Sequence, residues 1–320
     1  MKLSKIFRVK SILALPVLLG SLQVAAQISE IRNGNPATSK QFQGVAVLAN
    51  LTIEPGSAIY MRHACTVSLV SPTRVMTATH CIASEFGSNR QNDTRYVLFT
   101  KDNKHPYHII NNGDFNSIEE IEKAGIIVRK IEAKHHIFPP QFKPGTNTRL
   151  TRKWNDIMFL KISPKVDSIK PLRIANSATV RKIKSGDKLT PVGFGYKTWD
   201  FFSLLGTLPE VLQQADLYVR TNRQCQPMSS SRFIPNHSIC TVPMQSQPEK
   251  RALACPGDSG APVTIYNTQM KRHEIVGVHS WGSATSEPDT CGEREINVST
   301  KPTAFAAWVD SVSKTGYSIK

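Results

Sequence analysis

Nine short runs rich in Val, Ile, Thr and aromatic residues, each bounded by turn-forming residues, constrain this chain more than any other feature. They fall at 44–51, 64–70, 96–99, 125–131, 156–162, 189–194, 213–219, 261–266 and 274–281. Their lengths and β-branched content predict strands. Helical periodicity is clear only at the end, where Pro302 can open a segment with Phe305, Trp308, Val309 and Val312 on one face. A chain of 320 residues built this way is expected to be all-β, as one large unit or two modest ones. The stretch 161–188 carries prolines and lysines and is less regular, which suits a connection between two β units.

Lys plus Arg outnumber Asp plus Glu by 40 to 24, a net charge of +16 that favours anionic partners or substrates without naming them. The first ten residues hold Lys2, Lys5, Arg8 and Lys10, and an apolar stretch from Ile12 to Leu22 follows. That order of regions is a signal peptide's, and the stretch is about half the roughly twenty apolar residues a membrane-spanning helix needs. Val24, Ala25 and Ala26 offer cleavage after Ala26, so 1–26 is read as a signal peptide, with a secreted or periplasmic product and no membrane anchor after cleavage. Export leads to an oxidising compartment, and the cysteine count is even: Cys65, Cys81, Cys225, Cys240, Cys255 and Cys291. No pair has the CxxC spacing of a zinc site, and no metal is expected. Six cysteines allow fifteen pairings, so composition alone leaves the connectivity open.

Three segments carry chemistry. Cys255-Pro256-Gly257-Asp258-Ser259-Gly260-Ala261-Pro262 sets a serine in a glycine-flanked turn that can expose its hydroxyl and aim backbone N–H groups at one point. Alone, Gly-Asp-Ser-Gly is common turn chemistry. It is joined by Thr77-Ala78-Thr79-His80-Cys81 and by Asn155-Asp156-Ile157-Met158-Phe159-Leu160, which puts an acid at the head of a run. His80, Asp156 and Ser259 together supply the base, its orienter and the nucleophile that acyl transfer requires.

With Pro191-Val192-Gly193-Phe194-Gly195 and Gly277-Val278-His279-Ser280-Trp281-Gly282, these segments resemble, in order, five motifs of the trypsin/chymotrypsin-like serine endopeptidases. The resemblance runs from Ile31 to the C-terminal helix. It implies two antiparallel six-stranded β-barrels, about 31–165 and 185–300, with the active site between them and a helix at about 302–313. It implies disulfides Cys65–Cys81, Cys225–Cys240 and Cys255–Cys291, an oxyanion hole of the Gly257 and Ser259 N–H groups, and a hydrogen bond from Ser280 to Asp156. No cofactor is implied. Substrates would be proteins or peptides, acidic ones being favoured by the basic charge, with no specific nucleic-acid partner. His80 and Asp156 lie further apart in sequence than is usual in the family, and the excess falls in 82–154, a polar segment expected to form an elaborated surface loop.

Ile31-Arg32-Asn33-Gly34 resembles, at Ile31 and Gly34, the start of mature enzymes in the family. This implies a propeptide 27–30 and release of an Ile31 ammonium that pairs with Asp258. By the same correspondence Leu253 floors the specificity pocket, and Ala254, His279, Ser280, Trp281, Gly282 and Asn297 line it. Leu253 cannot pair with Lys or Arg. His279 stands where glutamyl endopeptidases of the family carry a carboxylate-reading histidine, so cleavage after Glu is the expected preference, with an apolar preference as the other option. Two alternatives stand beside this reading: a catalytically silent basic binding protein on the same fold, and a hydrolase of small esters.

Overall fold

The computed structural model describes residues 34–83, 94–140, 142, 156–200, 205–228, 234–243, 254–284 and 294–320. The expected signal peptide and propeptide, Ile31, Leu253 and Cys291 lie outside the described residues. Among the described residues, two large β-sheets carry the fold, beside a two-stranded hairpin of Thr198–Asp200 and Leu205–Thr207. The first has seven strands: β1 (Val45–Thr52), β2 (Tyr60–Ser71), β3 (Arg74–Thr77), β4 (Arg95–Thr100), β5 (Ile126–Ile131), β6 (His136–Ile137) and β7 (Met158–Lys161), hydrogen-bonded in the order β5-β4-β1-β2-β3-β7-β6. It curls without closing its ladder among the described residues.

The second sheet closes. β8 (Lys188–Gly193), β9 (Leu217–Val219), β10 (Ser238–Val242), β11 (Pro262–Asn267), β12 (Arg272–Ala284) and β13 (Arg294–Thr300) follow the cycle β8-β9-β10-β13-β12-β11, and β11 returns to β8 through Thr190–Thr264 and Pro191–Val263 pairs. The ring has no free edge to template aggregation. The run read at 213–219 is interrupted. Gln213 and Gln214 pair with Asn35–Pro36 and with Val192 and Gly193, whereas Leu217 and Tyr218 pair with Leu189 and Lys188.

Among the described residues, five short helices decorate the sheets: α1 (Pro106–Asn111), α2 (Ile118–Lys123), α3 (Ser177–Arg181), α4 (Asn222–Met228) and α5 (Ala306–Val312). α1 and α2 fall in the segment expected to be surface loop, and each has a residue inside the core, Ile110 and Ile121. A 3₁₀ turn at Pro302–Phe305 leads into α5, where Phe305 and Val309 are buried as their spacing requires. Trp308 packs on Phe159 of β7, with ring centroids 5.2 Å apart. Ser71 Oγ and Arg74 Nε donate to the carbonyls of Ser313 and Val312. The C-terminal helix thus returns to brace the N-terminal sheet.

The second half of β2 is buried on both faces, from Cys65 to Ser71. One face serves the first sheet's core. The other meets the second unit, where Thr66 N–H donates to the Ser259 carbonyl at 2.9 Å.

Candidate active site

Antiparallel pairing brings the chemical groups to one place. Thr77, the last residue of β3, pairs with Met158, the first of β7. His80 lies three residues beyond that pair on one strand and Asp156 two residues before it on the other, so both emerge at the same corner. A 3₁₀ turn over Thr79–Cys81 aims the imidazole, and Thr79 Oγ1 anchors the turn by donating to the Ile157 carbonyl at 2.9 Å. His80 Nδ1–H donates to Asp156 Oδ2 at 2.8 Å, and His80 N–H donates to Oδ1 at 3.0 Å.

The second unit adds its groups by the same device. Pro262 of β11 pairs with Val278 of β12, which sets Ser259 and Ser280 just past the ends of that register. Ser280 Oγ donates to Asp156 Oδ2. Burial alone would push the Asp156 carboxyl up. The facing His80 charge and the bonds from His80 and Ser280 outweigh it and hold the group below the ordinary carboxylate range.

Ser259 is fastened to His80 through the backbone. Its carbonyl accepts from Thr66, the residue after Cys65, and Cys65 is disulfide-bonded to Cys81, the residue after His80. Cys81 Sγ lies 3.6 Å from the same carbonyl. Cys65, His80 and Cys81 form the one cluster of potential metal ligands among the described residues, and its two sulfurs are bonded to each other. The structure also pairs Cys225 with Cys240. Cys255 is buried, and the Cys255–Cys291 pairing falls on a residue outside the described ones.

The loop that carries Ser259 is shaped by close approach. Gly260 has φ +83°, and a Cβ there would stand 2.1 Å from Thr77 Oγ1 and 2.4 Å from the Thr66 carbonyl. Gly257, at φ +91°, turns its carbonyl inward to accept from His63 Nε2–H at 3.1 Å and Thr66 Oγ1 at 2.9 Å. The N–H groups of Gly257 and Ser259 have no acceptor among the described residues. Asp258 is buried and accepts from Gly195 N–H at 2.8 Å and Cys255 N–H at 2.9 Å. A Cβ on Gly195 would lie 2.4 Å from that carboxylate, which explains the second glycine of the Gly193-Phe194-Gly195 turn. His63, Thr66 and Gly195 were not read from sequence as parts of this loop.

Beside Ser280, His279 is buried and exchanges backbone bonds with the loop: its N–H donates to the Ala261 carbonyl, and its carbonyl accepts from Gly260. Gly282 pairs across β12 and β13 with Asn297. Asn297 is buried. Its Oδ1 accepts from Ala254 N–H at 3.3 Å, and its Nδ2 has no partner among the described residues. Trp281 is half-buried against Cys240 and Val298.

Comparison with known proteins agrees with this arrangement. The family model described as Trypsin matches residues 31–309. The chain is 28% identical to the clotting factor G beta subunit of Tachypleus tridentatus over 265 residues, which cover 79% of this chain and 72% of the relative. It is 25% identical to human transmembrane protease serine 11B, covering 80% of this chain and 50% of that one. It is 24% identical to trypsin eta of Drosophila erecta, covering 88% and 91%. A match across nearly the whole chain, on a closed barrel facing a curled sheet, establishes that the protein belongs to the trypsin family of serine proteases.

Proposed function

We propose that the protein is an exported serine endopeptidase that cleaves peptide bonds through an acyl-enzyme on Ser259. The observation that carries this reading is the Asp156 carboxylate, buried and accepting from His80 Nδ1–H, His80 N–H and Ser280 Oγ. A proton held on Nδ1 makes Nε2 the base. His80 then takes the Ser259 proton as Oγ attacks the substrate carbonyl, and the imidazolium that forms faces a fixed negative charge. Collapse of the tetrahedral intermediate breaks the peptide bond while His80 returns the proton to the leaving amine. Water, deprotonated by the same imidazole, hydrolyses the ester. The Gly257 and Ser259 N–H groups, with no other acceptor among the described residues, are suited to the oxyanion, where each such donor contributes about 3 kcal/mol.

Cleavage before Ile31 would release an ammonium for Asp258, a buried carboxylate whose neighbours include the oxyanion donors. Such a pair would order the loop only after processing. For the residue preceding the scissile bond the proposal is Glu, on the family correspondence at His279 of β12. Asn297 Nδ2 has no partner among the described residues, and a buried donor without an acceptor favours a substrate that brings one. Glu30 precedes Ile31, so the same preference would allow self-processing.

Peptide-library profiling of the mature protein tests this reading. Cleavage after Glu is expected, Ser259→Ala is expected to show none, and His279→Val is expected to lower the Glu rate by on the order of a hundredfold. Cleavage chiefly after Phe, Tyr or Leu would overturn the Glu assignment. Undiminished cleavage by Ser259→Ala would overturn the mechanism.

A further inference from the structure

A cavity of about 350 Å³ opens in the second barrel, and its lining includes none of His80, Asp156, Ser259, His279, Ser280 and Asn297. Its lining includes four aliphatic side chains, Val180 of α3, Ile183 just beyond it, Val219 of β9 and Ile239 of β10. It also includes two cations, Arg220 directly after β9 and Lys301 directly after β13. The backbone fixes both, since Arg220 N–H donates to the Cys240 carbonyl at 3.0 Å and Lys301 N–H to the His237 carbonyl at 2.7 Å.

Neither cation has a carboxylate within ion-pair distance among the described residues, and no acidic side chain lines the cavity. Lys301 Nζ spends one hydrogen bond on the Pro235 carbonyl at 3.0 Å. Its burial disfavours the charged form. The contrast with Lys188 is instructive: it pairs with Asp216 at 3.1 Å and is thereby occupied. Asp187, two residues beyond the cavity-lining Ser185, accepts from the Lys184 N–H at 2.7 Å.

Two half-buried cations beside four aliphatic side chains match neither a neutral lipid nor a fully hydrated polyanion. A neutral guest leaves the charges unpaired, and a sulfated glycan would cover the aliphatic lining with hydroxyls that find no partners there. We propose that this cavity binds an amphiphilic monoanion, a carboxylate head held by Arg220 and Lys301 with an aliphatic body against Val180, Ile183, Val219 and Ile239. The size suits such a guest, since small-molecule sites begin at about 300 Å³ and combine apolar walls with a few placed polar groups. The inference does not depend on the protease reading.

Calorimetric titration of the full-length protein with octanoate at low salt tests it, with acetate, inorganic sulfate and octyl glucoside as companions. Saturable one-to-one binding of octanoate is expected, with acetate, sulfate and the neutral glucoside each at least tenfold weaker. Arg220→Gln removes a guanidinium that makes no side-chain bond among the described residues, so it is expected to keep the thermal midpoint and weaken octanoate at least tenfold. Lys301→Met, judged against its own midpoint, is expected to do the same. Absence of saturable octanoate binding, equal binding by Arg220→Gln, or equal binding of sulfate or octyl glucoside would each overturn the proposal.

Discussion

His63 shows how one buried side chain can tie the catalytic loop to pH. Only 6% of it is exposed, its Nε2–H is committed to the Gly257 carbonyl, and its Nδ1 has no partner among the described residues. A second proton would therefore sit in apolar surroundings. Burial lowers the pKa from 6.5 to about 4, against the opposing pull of the Gly257 carbonyl. His105, 5.2 Å away between ring centroids, is also held well below the ordinary imidazole range, by burial first and then by the His63 and His108 charges. Between pH 4 and 6.5 the unfolded chain binds the His63 proton and the folded one does not, so stability rises with pH across that window and is lost as pH falls through it. The His63 contribution is about 3 kcal/mol. Urea unfolding of the Ser259→Ala protein, which cannot digest itself, is expected to show a slope to which His105 also contributes, and His63→Gln is expected to make it shallower by about one proton. An unchanged slope in His63→Gln would place the acid sensitivity elsewhere. Asp156 acts lower: its depressed pKa contributes stability above the ordinary carboxyl range that disappears only as pH falls below 3.8. The two windows are separable in one titration.

At the scale of strands and turns, the site depends on registers that hold His80 and Ser259 to β2. The Cys65–Cys81 bridge closes a loop with a sequence separation of 16, for which chain entropy predicts about 3 kcal/mol. Replacing both cysteines by serine is expected to lower stability by roughly that amount and to reduce turnover through His80, while Cys225→Ser/Cys240→Ser, with a similar separation of 15, costs stability and leaves turnover near wild type. Equal loss of turnover in both variants would deny the first bridge a positioning role. Most of the named strands were legible in sequence because they carry apolar runs of four to eight residues between turn signals. Four were not. His136–Ile137 has only two residues. Arg74–Thr77 is four residues long and stands only two residues beyond β2, so it reads as the continuation of a turn. Ser238–Val242 is buried at every position, which erases alternation. Arg294–Thr300 opens on charged residues. The break at Ala215–Asp216 was invisible for another reason: it arises from a change of partner strand, which no local pattern encodes.

Over the whole molecule, what was legible of the site followed the same division. His80, Asp156, Ser259 and Ser280 lie in compact motifs whose order survives in sequence, and the fold brings His80, Asp156 and Ser280 into one hydrogen-bonded cluster. His63 and Thr66 reach Gly257 across sequence separations of 194 and 191, so nothing near either residue announces the contact. The uncommitted cations Arg220 and Lys301 were equally hidden, since a basic chain has many and only packing shows which lack acids. The two β units meet along β2 and the Ser259 loop, and α5 braces the first sheet from the far end of the chain. Catalysis by a nucleophile on one unit and a base on the other is the central claim this architecture supports. Its most direct test is intact-mass analysis of the mature protein after exposure to a serine-directed phosphonate, followed by peptide mapping. The account predicts a single adduct on Ser259, formed with complete loss of proteolysis and abolished in both Ser259→Ala and His80→Ala. Proteolysis that persists without an adduct, or an adduct mapped to any other residue, would contradict it.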